Sequence, residues 1–137
     1  MYDAVLFDLF GTLVTDRGDA IEGAQTLLEG LPSIRWAIVT SCPSRLASQL
    51  LERAALPRPA VLVSANDVKR GKPSPEGYML AALRLNFEPE HCLVVEDSAH
   101  GIAAGEAAGM DVINVRETPL RNLALDVVAD GRLRLRR

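Results

Sequence analysis

Three carboxylates stand where chemistry is possible. Asp8 lies in the apolar run "AVLFDLF" (residues 4–10), and Glu96 with Asp97 ends "HCLVVED" (residues 91–97). A carboxylate at the end of a buried strand needs compensation, because burying an unpaired charge is costly. Asp8 either caps the turn that follows or serves as a nucleophile or metal ligand. Strand alternation points Glu96 and Asp97 to opposite sides, yet at a strand end one of them can still face a cleft. Two strand-end carboxylates at one sheet edge suit Mg²⁺, a hard cation that takes oxygen ligands and keeps several waters. Two unrelated strand-end caps are the plain alternative.

Thr40 and Ser41 follow "AIV" at another strand end. A hydroxyl and free backbone N–H groups there suit a phosphate oxygen, or simply close a turn. The segment "KRGKPSPEGY" offers Lys69, Arg70 and Lys72. Pro73 holds Lys72 away from helical geometry. A lysine just before a helix can reach a cleft as a compact cation for a phosphoryl group, or remain an exposed loop residue. His91 and His100 are read as surface or packing residues rather than metal ligands. Cys42 falls near the expected cleft without an activating base in sequence, and Trp36 and Tyr78 read as packing residues. The basic tail "GRLRLRR" (residues 131–137) reads as a solvated, fraying end.

These residues need a scaffold, and short apolar runs alternating with helical periodicity supply one. Strands are expected at 4–10, 34–40, 60–64, 91–97 and 110–115. Helices are expected at 20–31 with Asp19 as N-cap, and from Pro43 and Ser44 to about Ala55. A third runs to about Asn86 with Ser74 as N-cap and Pro75 at the first position, and a fourth follows Ser98 and ends at Gly109. Residues 123–130 fit a sixth strand or a helix. Such alternation predicts one α/β domain over residues 1–137, with a mostly parallel central sheet and helices on both faces. In such sheets ligands bind at the carboxyl ends of the strands, near the switch point of strand order. Asp8, Thr40, Ser41, Glu96 and Asp97 all fall there.

Composition narrows the classes. The chain has 137 residues, 48% hydrophobic and 24% charged, as for a globular domain with a proper core. Its net charge of −3 gives no reason to expect nucleic acid. Two cysteines, Cys42 and Cys92, are too few for a disulfide framework and lack zinc-ligand spacing. No apolar run approaches the roughly 20 residues of a membrane span, and no basic segment leads into an apolar core as in a signal peptide. A cytoplasmic setting is expected.

Four segments in order, "LFDLFGTLV", "AIVTS", "RGKPSPEGY" and "LVVEDSAHGIAAGEAAGM", resemble the motifs of the haloacid dehalogenase-like hydrolase superfamily. The likeness is nearest to its sugar-phosphatase and β-phosphoglucomutase-like branch and covers nearly the whole chain. It implies a three-layer Rossmann-like fold and a phosphorylated substrate. By this resemblance Asp8 would attack phosphorus and form an aspartyl-phosphate, while Thr40, Ser41, Gly11 and Lys72 would hold the phosphoryl group. Mg²⁺ would sit on Asp8, Asp97 and the backbone carbonyl of Phe10, with Glu96 supporting it through water. The charges agree, since a divalent cation and a lysine offset the repulsion between aspartate and phosphate.

Two departures qualify the resemblance. The family's phosphatases carry an aspartate at position 10 as general acid and base, where this chain has Phe10. General acid–base help is worth about 10²–10⁴-fold, so a loss of that size is expected, although the backbone carbonyl at 10 is unaffected. Aromatic residues there resemble the superfamily's dehalogenases, which usually lack the acidic pair that Glu96 and Asp97 form here. Second, ten residues, Leu13 to Glu22, separate "FGT" from "GAQTLL", where relatives insert a helical cap, and Ser41 to Lys72 leaves no room for the other cap type. The expectation is a capless, Mg²⁺-dependent phosphatase-like hydrolase with reduced activity. Its open cleft would take a large substrate or be covered by a neighbouring subunit of a homo-oligomer. The alternatives are a non-catalytic domain that binds a phospho-ligand or protein and, last, a 2-haloacid dehalogenase.

Overall fold

A computed structural model of the chain describes residues 1–136. Five strands form the central sheet: β1 (Ala4–Phe7), β2 (Trp36–Val39), β3 (Val61–Val63), β4 (Cys92–Glu96) and β5 (Asp111–Asn114). All neighbours are parallel, in the order β3-β2-β1-β4-β5. The helices are α1 (Ala24–Glu29), α2 (Ser44–Arg53), α3 (Glu76–Leu85) and α4 (Ala99–Ala107). Strand pleating assigns the two faces. Val5, Phe7, Ile38, Leu93 and Val95 pack with Leu28 of α1 and with Ala47 and Leu51 of α2. Ala4, Leu6, Ala37, Val39 and Val94 turn the other way, onto Tyr78, Ala81 and Ala82 of α3 and Ala104 of α4. Three layers result, and both sheet faces are dry, which explains the unbroken apolar runs of β1, β2 and β4.

The chain runs outward from β1 to β2 and β3, then returns to the other side of β1 to lay down β4 and β5. The switch point of strand order therefore lies between β1 and β4. Their carboxyl ends deliver Asp8, Glu96 and Asp97 to one place, joined by the Asp8 N–H donating to the Val95 carbonyl at 3.1 Å.

Several element boundaries differ from the sequence expectation. Strand β1 stops at Phe7, because the Leu9 carbonyl accepts the N–H groups of Thr12, Leu13 and Val14 and curls the chain into a turn. Asp19 caps no helix. Its carbonyl accepts from Thr15 N–H at 2.8 Å, Ile21 N–H donates to the Leu13 carbonyl at 2.8 Å, and Val14 and Ala20 form an antiparallel bridge. This folded-back loop delays α1 to Ala24, after Gly23. A 3₁₀ turn occupies Ser33–Arg35 ahead of β2. Helix α3 begins one residue later than expected, with Pro75 at the N-cap, while Ser74 Oγ accepts from Glu76 N–H at 3.3 Å. Ser98 does cap α4, accepting from Gly101 N–H at 3.1 Å.

The ambiguous segment 123–130 contains strand β6 (Ala124–Val127), and the basic tail is no fraying end. It forms β7 (Leu133–Arg136), antiparallel to β6, and its last residue, 137, lies outside the described residues. Leu133 is fully buried in the core and exchanges two backbone hydrogen bonds with Tyr2, at 2.7 and 2.8 Å. Among the described residues no cap domain interrupts the core, and no helix is long and apolar enough to cross a membrane.

Candidate active site

Asp8 follows β1 at the floor of a cleft of about 260 Å³, lined by Asp8, Phe10, Thr40, Ser41, Cys42, Lys72, Asp97, Ser98 and His100. It is 8% exposed. Lys72, from the loop between β3 and α3, donates from Nζ to Asp8 Oδ1 at 2.8 Å, to Glu96 Oε2 at 2.6 Å and to the Val39 carbonyl at 2.9 Å. An ammonium group has three protons, so every one of them is used, on groups from β1, β2 and β4. The reach from a loop before a helix is the one expected from the sequence.

Glu96 is fully buried. Its Oε2 also accepts from the Tyr78 hydroxyl at 2.6 Å, and its Oε1 accepts from Asp97 N–H at 3.2 Å and Ser98 Oγ at 3.4 Å. Expected beside a cation, Glu96 is placed behind Lys72 and contributes nothing to the cleft wall. Tyr78 is more than the packing residue it resembles in sequence. It is the largest fully buried side chain, and its ring also lies 5.2 Å from Lys72 Nζ. A tyrosine on the buried face of a helix must find an acceptor for its hydroxyl, and that requirement was the available signal.

Thr12 escaped sequence reasoning as well. Its buried hydroxyl lies 3.4 Å from Asp8 Oδ2 and 3.3 Å from Asp97 Oδ1, able to donate to either carboxylate. Two glycines make room for this cluster. At Gly101 an added Cβ would overlap the Glu96 carboxylate, and at Gly11, where φ is +80°, it would overlap the Asp97 carboxylate. Gly11, expected to hold phosphate, donates its N–H to the Val14 carbonyl at 2.8 Å and is not on the cleft wall. Thr40 is buried and its Oγ1 accepts from Cys42 N–H at 3.2 Å, so it shapes the loop after β2, while Ser41 is exposed on the wall. Cys42 Sγ lies 3.2 Å from Thr40 Oγ1. Phe10 is 38% exposed at the mouth. His91 is 3.3 Å from Asp3, while His100, expected as a surface or packing residue, is exposed and lines the cleft.

Asp8, Glu96 and Asp97 each offer an oxygen, all within 4.8 Å of one another. Three carboxylates face one ammonium. The Asp8 carboxyl is raised to about 7, chiefly by burial, with Lys72 pulling it down and Glu96 and Asp97 pushing it up. The donor set is hard, oxygen-only and short of positive charge, which fits a divalent cation such as Mg²⁺. The Phe10 carbonyl accepts no hydrogen bond among the described residues, leaving its lone pairs available. The same buried carboxylates drive the Tyr78 phenol well above its ordinary range, with burial the larger cause.

Comparison with known proteins identifies the family. The haloacid dehalogenase-like hydrolase model matches residues 14–109, a span holding Thr40, Lys72, Glu96 and Asp97. Hexitol phosphatase A of Escherichia coli (strain K12) is 45% identical over 75% of this chain and 50% of its own length. Validoxylamine A 7'-phosphate phosphatase of Streptomyces hygroscopicus subsp. limoneus is 42% identical over 72% of this chain and 47% of its own. The chain thus spans about half the length of these curated relatives. Among solved structures, a HAD family hydrolase from Deinococcus radiodurans R1, with bound phosphate and sodium, superimposes with a TM-score of 0.71. It is 26% identical, and the alignment covers 81% of this chain and 79% of that one. By its family match, its fold and the convergence of Asp8, Lys72 and Asp97, the chain belongs to the haloacid dehalogenase-like hydrolases.

Proposed function

We propose that this chain is a Mg²⁺-dependent phosphatase that hydrolyses a phosphate monoester through an aspartyl-phosphate at Asp8. The observation that carries the reading is the Asp8 carboxylate, fixed 2.8 Å from Lys72 Nζ with Asp97 and Glu96 oxygens within 4.8 Å. Asp8 Oδ attacks phosphorus, and the alkoxide leaves in line. Lys72 keeps the nucleophile oriented and offsets the charge of the two approaching anions. Ser41 and the loop that Thr40 shapes receive phosphoryl oxygens. Asp8, Asp97 and the Phe10 carbonyl would hold Mg²⁺, with Glu96 behind them fixing Lys72, and the cation would draw charge from the phosphoryl oxygens.

The names of the relatives support a phosphorylated sugar-like alcohol as substrate class. The uncapped cleft suits a bulky ester, or a second copy of the chain as cover. Position 10 supplies no proton, so turnover is slow relative to an aspartate at that site. The same residue favours a second reading, a domain that retains phosphate and metal without turning them over.

Hydrolysis of an aryl phosphate with and without Mg²⁺ separates the two. The phosphatase reading expects slow, Mg²⁺-dependent turnover, abolished in Asp8→Asn and raised in Phe10→Asp. An inert wild type together with an inert Phe10→Asp would leave the binding reading. Halide release from a 2-haloacid would point to dehalogenation instead.

A further inference from the structure

We propose that His100 is the catalytic acid and base of this site, giving a proton to the leaving oxygen and then activating water. The inference rests on the phosphatase reading above and supplies what Phe10 cannot. In-line displacement expels the leaving group on the side of phosphorus opposite the nucleophile. Asp8 lies at the floor, 8% exposed, so the leaving oxygen departs toward the mouth of the cleft. His100 stands on that wall, exposed, in the first turn of α4.

The other titratable groups of the wall are already committed. Lys72 donates all three of its protons to protein acceptors, and Asp8 is the nucleophile. Asp97 accepts from Thr12 and belongs to the carboxylate cluster, and Cys42 Sγ is held against Thr40 Oγ1. The His100 side chain makes no hydrogen bond or ion pair among the described residues, so its ring is free to turn toward a bound ester. Imidazole is also the side chain best suited to passing protons in both directions near neutral pH.

The step balances. Asp8 Oδ forms a bond to phosphorus as the P–O bond to the alcohol breaks, and that electron pair passes to the leaving oxygen. The imidazolium N–H of His100 protonates it, and neutral alcohol departs. The neutral imidazole then takes a proton from water as the water oxygen attacks the aspartyl-phosphate. Inorganic phosphate leaves, and Asp8 and the imidazolium are restored. Asp8, Asp97, Lys72 and Cys42 line the same cleft as His100.

The test compares kcat/KM of wild type, His100→Gln and His100→Ala with Mg²⁺ on a simple alkyl phosphate and on 4-nitrophenyl phosphate. This constant reports leaving-group expulsion, and nitrophenolate needs no proton. His100→Gln is expected to lower kcat/KM for the alkyl ester about 10²-fold or more, with less than about a threefold change for the aryl ester. The alkaline fall in the alkyl pH profile should vanish, and added imidazole should restore turnover to His100→Ala. Equal losses on both esters, or no loss on either while wild type is active, overturn the role of His100 and leave the phosphatase reading intact. A wild type inert toward both esters overturns both.

Discussion

Tyr78 donates a single hydrogen bond, but to a carboxylate with no solvent to fall back on. Removing the donor leaves Glu96 Oε2 to Lys72 alone. Hydrogen bonds to buried charged groups are worth about 1.5–3 kcal/mol, so Tyr78→Phe should cost about that much stability in urea denaturation while leaving the ring in place. Asp8 makes a second residue-scale prediction. Its folded-state carboxyl titrates at about 7 against an ordinary 3.8. Between those values the folded chain keeps a proton that the unfolded chain has lost, so the Asp8 contribution to stability falls as pH rises through the window. Without Mg²⁺, urea midpoints should decline from pH 4 to 7 more steeply in wild type than in Asp8→Asn, and saturating Mg²⁺ should flatten that difference. The strand-end carboxylates and Lys72 were legible in sequence because position and residue type pointed the same way. Thr12 and Tyr78 were not, because the carboxylates that Thr12 joins to each other and that Tyr78 serves meet only in the fold: Asp97 lies 85 residues from Thr12, and Glu96 lies 18 from Tyr78.

At the scale of elements, α4 is fitted to the site at its first turn. Ser98 caps it, and Gly101 leaves room for the Glu96 carboxylate. Overpacking typically costs about 1–3 kcal/mol, and Gly101→Ala should reach the upper end because a salt-bridged carboxylate must move. Thermal unfolding reads that loss, and weaker Mg²⁺ binding by calorimetry should accompany it. The strand-helix alternation was readable from apolar periodicity, and the Ser98 cap from its residue type. The start of α1 was not, since Asp19 and the apolar spacing after it imitate a helix entry. Backbone bonds from Leu13 and Thr15 hold those residues in a folded-back loop instead.

At the scale of the molecule, the closing hairpin of β6 and β7 is part of the core rather than an appendage. Its arginines misled because strand alternation was masked by charge: Arg134 and Arg136 face Asp126 at 3.6 and 3.3 Å, while Leu133 turns inward. Leu133→Ala should therefore cost about 2–5 kcal/mol, measurable as a lower urea midpoint, whereas Arg134→Ala should change it by less than about 0.5 kcal/mol. Three layers around a parallel sheet were foreseeable, because continuous apolar runs imply burial on both faces. The uncapped core carries a kinetic consequence. A lidded enzyme waits on an opening motion that solvent friction slows, whereas among the described residues no lid closes over this cleft. On the proposed phosphatase reading, turnover should be indifferent to added glycerol or sucrose once substrate is saturating, with the clock set by bond-breaking at phosphorus alone.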